Sequence, residues 1–358
     1  MKKLRPKRKK FLTSKIVKAT QKGLKKKRRK TKHHYRKHQN NLHEAYQRSV
    51  EFIKKARQEI TISPKNEIKL LEDTENAIDF ISKLKSYRRA AKEVKTVIID
   101  LRNVNSIDIG TISLMLSSVK ELILVDIEVK GNLPTNKVAK QVFLDSGFLE
   151  HMNEVSKSIR NSMKVTNKKN LLLMLAKGKS ESRKVGQCIR TGIEALTGKP
   201  NHYPPIYGII QEMNGNSVEH AYKRKAHWLL GINHEQHNKK LIFTFTDNGF
   251  GIINSLKKRF NKNVFDKLNW HNDERILEGV FDKKYNSRFK KQYNRNKGLP
   301  VIKKAQSENK IKNLIVISNN SLFRVDRSET MKLSEEFSGT FYYWELDINT
   351  YKNGKNIN

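Results

Sequence analysis

The chain has 358 residues, of which 36% are apolar, and its 74 Lys and Arg against 35 Asp and Glu give a formal net charge of +39. This length favours two domains, because domains commonly have about 100–200 residues. The single Cys188 excludes an intrachain disulfide, and with no apolar run near the ~18 residues of a membrane span it indicates a cytoplasmic protein.

The segment 1–40 is a strongly basic tail that contains 19 Lys or Arg and no Asp or Glu. So few apolar side chains cannot offset the entropy of ordering, and the composition therefore predicts disorder. Its charge favours binding to DNA or RNA, with acidic lipid as the alternative partner. Over 41–59, apolar residues at three- and four-residue steps predict an amphipathic helix.

The next segment, 60–152, alternates short apolar runs with amphipathic stretches. Alternation at this spacing predicts an α/β layer with crossover connections. The predicted strands cover 60–62, 97–101 and 124–129, and the predicted helices cover 75–87, 111–122 and 137–145.

Two stretches of this segment, VIIDLRNVNSIDIGTISLML and LPTNKVAKQVFLDSGFLE, resemble the STAS domain, the small α/β fold of anti-sigma-factor antagonists. A Ser after the strand can be phosphorylated in that family, whereas this chain has Ile109, Gly110 and Thr111 there. The resemblance therefore implies a scaffold or a dimerisation surface, for a protein partner or for a second copy.

The segment 153–184 starts with a polar stretch that has no strong periodicity, which predicts a linker or lead-in segment. A second domain is predicted over 185–348, and a polar C-terminal tail over 349–358.

One helical stretch in the second domain, YGIIQEMNGNSVEHAY (207–222), places Glu212, Asn216 and His220 at successive four-residue steps. Residues at this spacing share one stripe of a helix. Taken alone, the stripe is as typical of a solvated helix face as of a functional site.

A strand-like run, LIFTFTDNGFGI (241–252), ends in Asp247 and is followed by Gly249 and Gly251. Glycines there let the backbone turn sharply and approach a ligand closely. A carboxylate at the end of a buried strand can accept a hydrogen bond from a purine amino group, and leaving it unpaired would be costly.

Two further segments complete the pattern. NRNKGLPVIKKA (294–305) places Lys297 and Gly298 before an apolar helix, where backbone N–H groups and an ammonium suit a phosphate. FSGTFYYWEL (337–346) sets Gly339 and Thr340 at the head of a strand.

In order and spacing these four segments resemble the GHKL superfamily, whose Bergerat fold occurs in anti-sigma-factor kinases, sensor histidine kinases and MutL. The resemblance implies an α/β sandwich, with helices on one face of a mixed sheet, that binds ATP and Mg²⁺. The implied site residues are the general base Glu212, the magnesium ligand Asn216, the adenine contact Asp247, the glycines Gly249 and Gly251 of the nucleotide floor, the phosphate-binding Lys297 and Gly298, the supporting Thr340, and Ser287 and Arg288 in a lid over 276–295.

Three functions are compatible with such a pocket. The first is a bacterial protein that hydrolyses ATP slowly as a switch and uses its basic arm for nucleic acid. The second is an anti-sigma-type kinase that phosphorylates a Ser or Thr of a partner, and the third is a scaffold in which ATP is structural. Phosphate release without a partner favours the first, and label transfer to a partner favours the second.

Overall fold

The computed structural model describes residues 18, 20–26, 29, 58–149, 152, 165–168, 171–177, 182–220, 227–259, 272–282 and 298–355. The chain divides into two compact units, Met1–Arg57 and Gln58–Asn358. No helix in these described ranges has both the length and the apolar character needed to cross a bilayer.

In the unit Met1–Arg57, residues 20–26 are helical and exposed. Gln, Leu and Lys in this stretch have high helix propensity. The disorder expected of the tail over 1–40 stays a prediction. Most of the amphipathic helix predicted over 41–59 lies outside the described residues. Its last two positions, Gln58 and Glu59, instead begin the first strand of the next unit.

The first part of the unit Gln58–Asn358 is the α/β layer that the sequence predicts. Its elements are β1 (Gln58–Ile62), β2 (Glu67–Ile68), α1 (Thr74–Ser86), β3 (Val94–Ile99), β4 (Ser106–Ile107), α2 (Ile109–Ile123), β5 (Glu128–Gly131) and α3 (Lys137–Asp145). Strands β1, β3 and β5 form a parallel sheet in that order, and β2 pairs with β4.

Capping residues set the starts of the helices in this layer. Asp108 accepts a hydrogen bond from the backbone N–H of Thr111 at the start of α2, and Asn136 does the same for Val138 at the start of α3. The strand predicted over 124–129 is displaced, because α2 continues to Ile123 and a turn follows with Asp126 at a φ of 62°. Short apolar runs do not by themselves distinguish a helix end from a strand.

The second part of the unit is built on one large sheet. Its elements are β6 (Val165–Lys168), β7 (Leu171–Lys177), α4 (Ser182–Thr197), α5 (Pro204–His220), β8 (His227–Glu235), β9 (Lys240–Asp247), α6 (Ile252–Arg259), α7 (Asp273–Phe281), α8 (Gly298–Ser307), β10 (Lys312–Arg324), β11 (Glu329–Asp347) and α9 (Ile348–Lys355). The strand order is β10-β11-β9-β8-β7-β6, and every described pairing is antiparallel.

One prediction for this part is wrong, because the described strands form an antiparallel rather than a mixed sheet. The segment 153–184, predicted as a linker or lead-in segment, contains the hairpin β6–β7, which leads into the large sheet. The predicted polar tail over 349–358 begins as helix α9, which Asp347 caps by accepting from the backbone N–H of Thr350, while Tyr351 is buried.

The six-stranded sheet buries apolar side chains on both faces. One face packs against α4, α5, α7 and α8, and the other packs against α1 and α2 of the first part. Neighbouring residues of β11 show the alternation, since Phe341 faces the α1–α2 side and Tyr342 faces the α5 side. The segments 60–152 and 185–348 thus share a core, with a hydrogen bond between Ser113 and Thr244 across it.

Candidate functional site

Helix α5 carries the stripe of polar residues that the sequence singled out. Its buried apolar residues, Ile209, Ile210 and Met213, fix the helix against the sheet. Glu212 and Asn216 are half-buried on a neighbouring face of the helix. The helix therefore holds a carboxylate and an amide one turn apart at the margin of the core.

Helix α8 begins directly against these two side chains. A Cβ placed on Gly298 would lie 2.9 Å from Glu212 Oε2 and 3.5 Å from Asn216 Nδ2. Glycine therefore permits a close approach that a Cβ atom would allow only if the Glu212 side chain moved. The first backbone N–H groups of a helix have no partner within the helix. The start of α8 therefore places hydrogen-bond donors beside the Glu212 carboxylate and the Asn216 amide. We call Glu212, Asn216 and Gly298 the α5–α8 cluster.

The side chain of Asn216 is incompletely satisfied within the fold. Its Nδ2 atom is buried and has no hydrogen-bond partner in the part of the chain that the structure describes. Buried polar atoms nearly always have a partner, so Asn216 Nδ2 is available to a water molecule or a ligand. The oxygen and nitrogen of an amide exchange by rotation, and either atom can therefore be presented there.

A second cluster surrounds Asp247 at the end of β9. Its Oδ1 atom accepts from the N–H of Gly249 at 2.8 Å, and its Oδ2 atom accepts from Ser217 Oγ at 3.3 Å. Burial raises the pKa of this carboxyl group; the hydrogen bond from Gly249, the charge of Lys85, and hydrogen bonds from Ser217 and the Thr340 N–H act in the opposite direction. The carboxylate is thus buried but surrounded by donors.

Strand β11 passes closely beside Asp247. Thr340, which is buried, is the partner of Asp247 in the antiparallel register. The preceding Gly339 has a φ of 106°, and a Cβ there would overlap the carbonyl oxygen of Asp247. Only glycine fits this backbone conformation and this contact. We call Asp247, Gly249, Gly339 and Thr340 the Asp247 cluster.

The turn after β9 is held by a side chain from β10. Asn319 donates from Nδ2 to the carbonyl of Phe250 at 2.9 Å, and its Oδ1 atom accepts from the N–H of Asn254 at 3.2 Å. Gly251 lies in the turn with a φ of 80°, where a Cβ would overlap the Asn319 side chain. The turn that the sequence predicted from its glycines is therefore braced across the sheet.

The described site residues thus form two clusters that share helix α5. Ser217, adjacent in sequence to Asn216, contacts Asp247 and so links the α5–α8 cluster to the Asp247 cluster. The predicted phosphate-binding Lys297 and the lid residues Ser287 and Arg288 lie outside the described residues.

Three contributors were missed in the sequence: Ser217, Lys85 and Asn319. Ser217 was detectable, because it follows Met213 by one helical turn and is a polar residue on the inward stripe of α5. Lys85 and Asn319 carried no comparable signal, since each acts on a segment far away in the chain.

The chemistry of the site is limited to a few donor types. Within the described ranges, no group of three or more His, Cys, Asp or Glu side chains comes together to hold a metal. A cation at the α5–α8 cluster would need oxygen ligands from its own counter-anion as well as from the protein.

The position that resembles the STAS phosphorylation site has a structural use. The hydroxyl of Thr111 is buried, donates to the carbonyl of Ile68 at 2.7 Å and accepts from the N–H of Leu70 at 3.1 Å. Phosphorylation would break both hydrogen bonds and place a dianion in the core.

Compared with known proteins, the chain matches no family profile and no curated protein sequence. Its function must therefore be argued from the chemistry of the two clusters and from the motifs that supply them.

Proposed function

We propose that the domain over 185–348 binds ATP, with adenine at Asp247 and the phosphates at the α5–α8 cluster. The observation that carries this proposal is the sharing of helix α5. It contributes Ser217 to the Asp247 cluster, and Glu212 and Asn216 to the cluster with Gly298. A single ligand with a polar base at one end and anionic groups at the other matches this arrangement.

The Asp247 cluster suits adenine better than guanine. The carboxylate accepts from an exocyclic amino group, whereas guanine has a carbonyl oxygen at the equivalent position. Because Asp247 is buried, a base that offers no donor leaves the carboxylate without one bond and with a desolvation cost. ATP should therefore bind more tightly than GTP.

The α5–α8 cluster suits the phosphates. The N-terminus of α8 offers backbone N–H groups, which favour anions. Asn216 fits a magnesium ligand, because its Nδ2 atom has no partner among the described residues and rotation of the amide would present the oxygen at that place. When bound beside the phosphates, Mg²⁺ neutralises part of their negative charge.

Glu212 has the chemistry of a general base at this place. It would orient a water molecule and accept its proton as the water attacks the terminal phosphate. We therefore propose slow, Mg²⁺-dependent ATP hydrolysis that acts as a switch. Phosphotransfer to a Ser or Thr of a partner is the alternative reaction of the same pocket, and ATP held only as a structural ligand is the second alternative.

We also propose that residues 1–40 bind DNA or RNA through the phosphate backbone. The described part of this segment supports the proposal, because Lys22, Lys25 and Lys26 are exposed on a helical stretch. Such contacts displace counterions, so binding is sequence-independent and sensitive to salt.

The segment 60–152 offers only a restricted surface to a protein partner or a second copy. Helices α1 and α2 pack against the large sheet, whereas α3 leaves Val138 exposed. We therefore propose the outer side of α3 as the surface for such contacts.

The central test is a titration of the full chain with a fluorescent ATP analogue, with and without Mg²⁺, competed by ATP and by GTP. Displacement by ATP at lower concentration than by GTP is expected. Equal competition by the two nucleotides would contradict the role of Asp247. Phosphate release and transfer of labelled phosphate to a partner are then measured on the same preparation, to distinguish hydrolysis from kinase activity.

A further inference from the structure

One lysine from the first α/β layer reaches the Asp247 cluster. Lys85, in the last turn of α1, has a side chain that is only 5% exposed. Its ammonium lies 3.0 Å from Glu121 Oε1, donates to the carbonyl oxygen of Ser338 at 2.5 Å, and sits 4.3 Å from the ring centre of Phe337. Lys85, a residue of the segment 60–152, thus contacts two consecutive residues of β11, Phe337 and Ser338.

Burial of a lysine has a large desolvation cost, even when the charge is paired. Here Glu121 supplies the counter-charge and is itself held by Arg88, whose Nη1 atom lies 3.1 Å from Glu121 Oε2. Apolar residues of similar volume would pack in this core at lower cost. The pair is therefore better explained by what it positions than by what it adds to stability.

The held segment leads directly to the Asp247 carboxylate. Ser338 is followed by Gly339, which lies against the Asp247 backbone, and then by Thr340, which pairs with Asp247 in the antiparallel register. Because Gly339 has no room to shift towards Asp247, movement of Ser338 is transmitted to Thr340. Three connected contacts thus lead from α1 to the group that we assign to adenine.

We propose that Lys85 is a positioning residue for the nucleotide: by holding Phe337 and Ser338 it keeps Gly339 and Thr340 against Asp247 and so sets affinity and selectivity for adenine. This inference rests on the proposed ATP-binding function and extends it. It gives the STAS-like region a defined role, which is control of the nucleotide pocket within the same chain.

Charge provides a second effect of the same residue. The ammonium of Lys85 favours the ionised form of Asp247, whereas burial disfavours it. The other groups at the carboxylate are Ser217 from α5, the N–H of Gly249, and β11, which contributes Tyr342 and the Thr340 N–H. Without the Lys85 charge the pKa of Asp247 rises further, so Asp247 becomes protonated at a higher pH. Nucleotide binding that requires the carboxylate is then lost earlier during acidification.

The test compares the parent chain with Lys85→Met and Lys85→Arg. Affinities for ATP and for inorganic tripolyphosphate are measured between pH 5 and pH 8. Lys85→Met should weaken ATP binding about tenfold, as expected for loss of a charged hydrogen bond, and leave tripolyphosphate affinity unchanged. Its loss of ATP binding on acidification should begin at a higher pH, whereas Lys85→Arg keeps the charge and should follow the parent pH profile.

Lys240→Met is the matched control. Lys240 is also a partly buried lysine on this sheet, paired with Glu345 at 2.9 Å, but it lies at the opposite end of β9 from Asp247. The Lys240→Met variant should change neither the ratio of the affinities for ATP and tripolyphosphate nor the pH profile of ATP binding.

Equal weakening of ATP and tripolyphosphate by Lys85→Met, with an unchanged pH profile, would overturn the inference and leave Lys85 a structural residue. Hydrogen exchange of residues 337–340 in the nucleotide-free chain gives a second measurement, and unchanged exchange rates in both Lys85 variants would also overturn it. If the parent itself does not bind ATP, the proposed function fails, and that outcome is visible before any variant is compared.

Discussion

Ser217 on α5 and Asp247 at the end of β9 are in contact, with Ser217 Oγ 3.3 Å from Asp247 Oδ2. The contact fixes the orientation of a buried carboxylate relative to the helix that carries Glu212 and Asn216. Two segments that are about 30 residues apart in sequence are therefore brought together.

Replacing Asp247 by Asn should weaken ATP binding on the order of 10- to 100-fold, because a hydrogen bond to a charged acceptor is worth roughly 1.5–3 kcal/mol. The melting temperature should stay the same or rise, since burial already disfavours the charge of this carboxyl group. The measurement is a fluorescent-ATP titration beside a thermal melt. Ser217→Ala, which removes one donor to the carboxylate, should show a smaller loss, and parent affinity in the Asp247→Asn variant would remove Asp247 from the site.

Gly298→Ala should reduce turnover more than stability. The added methyl group would lie 2.9 Å from Glu212 Oε2, so the flexible Glu212 side chain must move away from its position. Gly208→Ala is the control, because a Cβ at that helical position meets nothing within 4 Å. We expect the phosphate-release rate to fall only in Gly298→Ala. Equal rates in the two variants would indicate that the start of α8 does not constrain Glu212.

Gly339→Ala should destabilise the whole unit. Its φ of 106° is unfavourable for alanine, and the Cβ would collide with the backbone carbonyl of Asp247. Gly198 also has a positive φ, of 76°, but a Cβ there meets nothing within 4 Å. We expect Gly198→Ala to cost about 1–2 kcal/mol of unfolding free energy and Gly339→Ala to cost more. Urea unfolding of both variants measures the difference, and similar midpoints would refute the close contact at Gly339.

Deleting residues 1–40 should weaken binding to DNA or RNA and flatten its dependence on salt, because 19 Lys and Arg are removed. The slope of the logarithm of affinity against the logarithm of salt concentration measures the effect. A slope that is the same with and without the tail would contradict the proposal. Binding to acidic liposomes that persists in the presence of DNA would point to lipid instead.

The features that the sequence predicted well are those with local causes. The alternation of elements between β1 and α3 follows from periodicity and from caps such as Asp108. The strand that ends at Asp247 and the helix that carries Glu212 were identified because short segments encode them. Each of these patterns involves residues that are close together in sequence, within about ten positions of one another.

The features that the sequence did not predict depend on distant contacts. Lys85 and Ser338 lie 253 residues apart in sequence, and no periodicity connects them. The core shared by the segments 60–152 and 185–348 was missed for the same reason. Ile242 and Phe341 are apolar residues, but their sequence does not tell whether they pack against α1 and α2 or against other elements. The hairpin β6–β7 starts in a polar stretch, where pairing partners rather than composition decide the structure.

Glu212 and Asn216 should separate catalysis from binding, because they act on different parts of the same complex. Asn216→Ala removes the proposed metal ligand, so it should lose the Mg²⁺-dependent part of ATP affinity. Glu212→Gln keeps the size of the side chain beside Gly298 but cannot accept a proton. General-base catalysis typically contributes about 10²–10⁴-fold to rate, so this variant should bind ATP with near-parent affinity and have negligible turnover.

The measurement is a pair of fluorescent-ATP titrations, with and without Mg²⁺, beside a phosphate-release assay on the parent and both variants. Gln211→Ala is the neighbouring control, because Gln211 accepts from Ser182 Oγ on α4 and so belongs to a different contact from Glu212. Its turnover should remain near that of the parent. If Glu212→Gln hydrolyses ATP at the parent rate, Glu212 is not the base, and the polar stripe of α5 serves as a binding surface only.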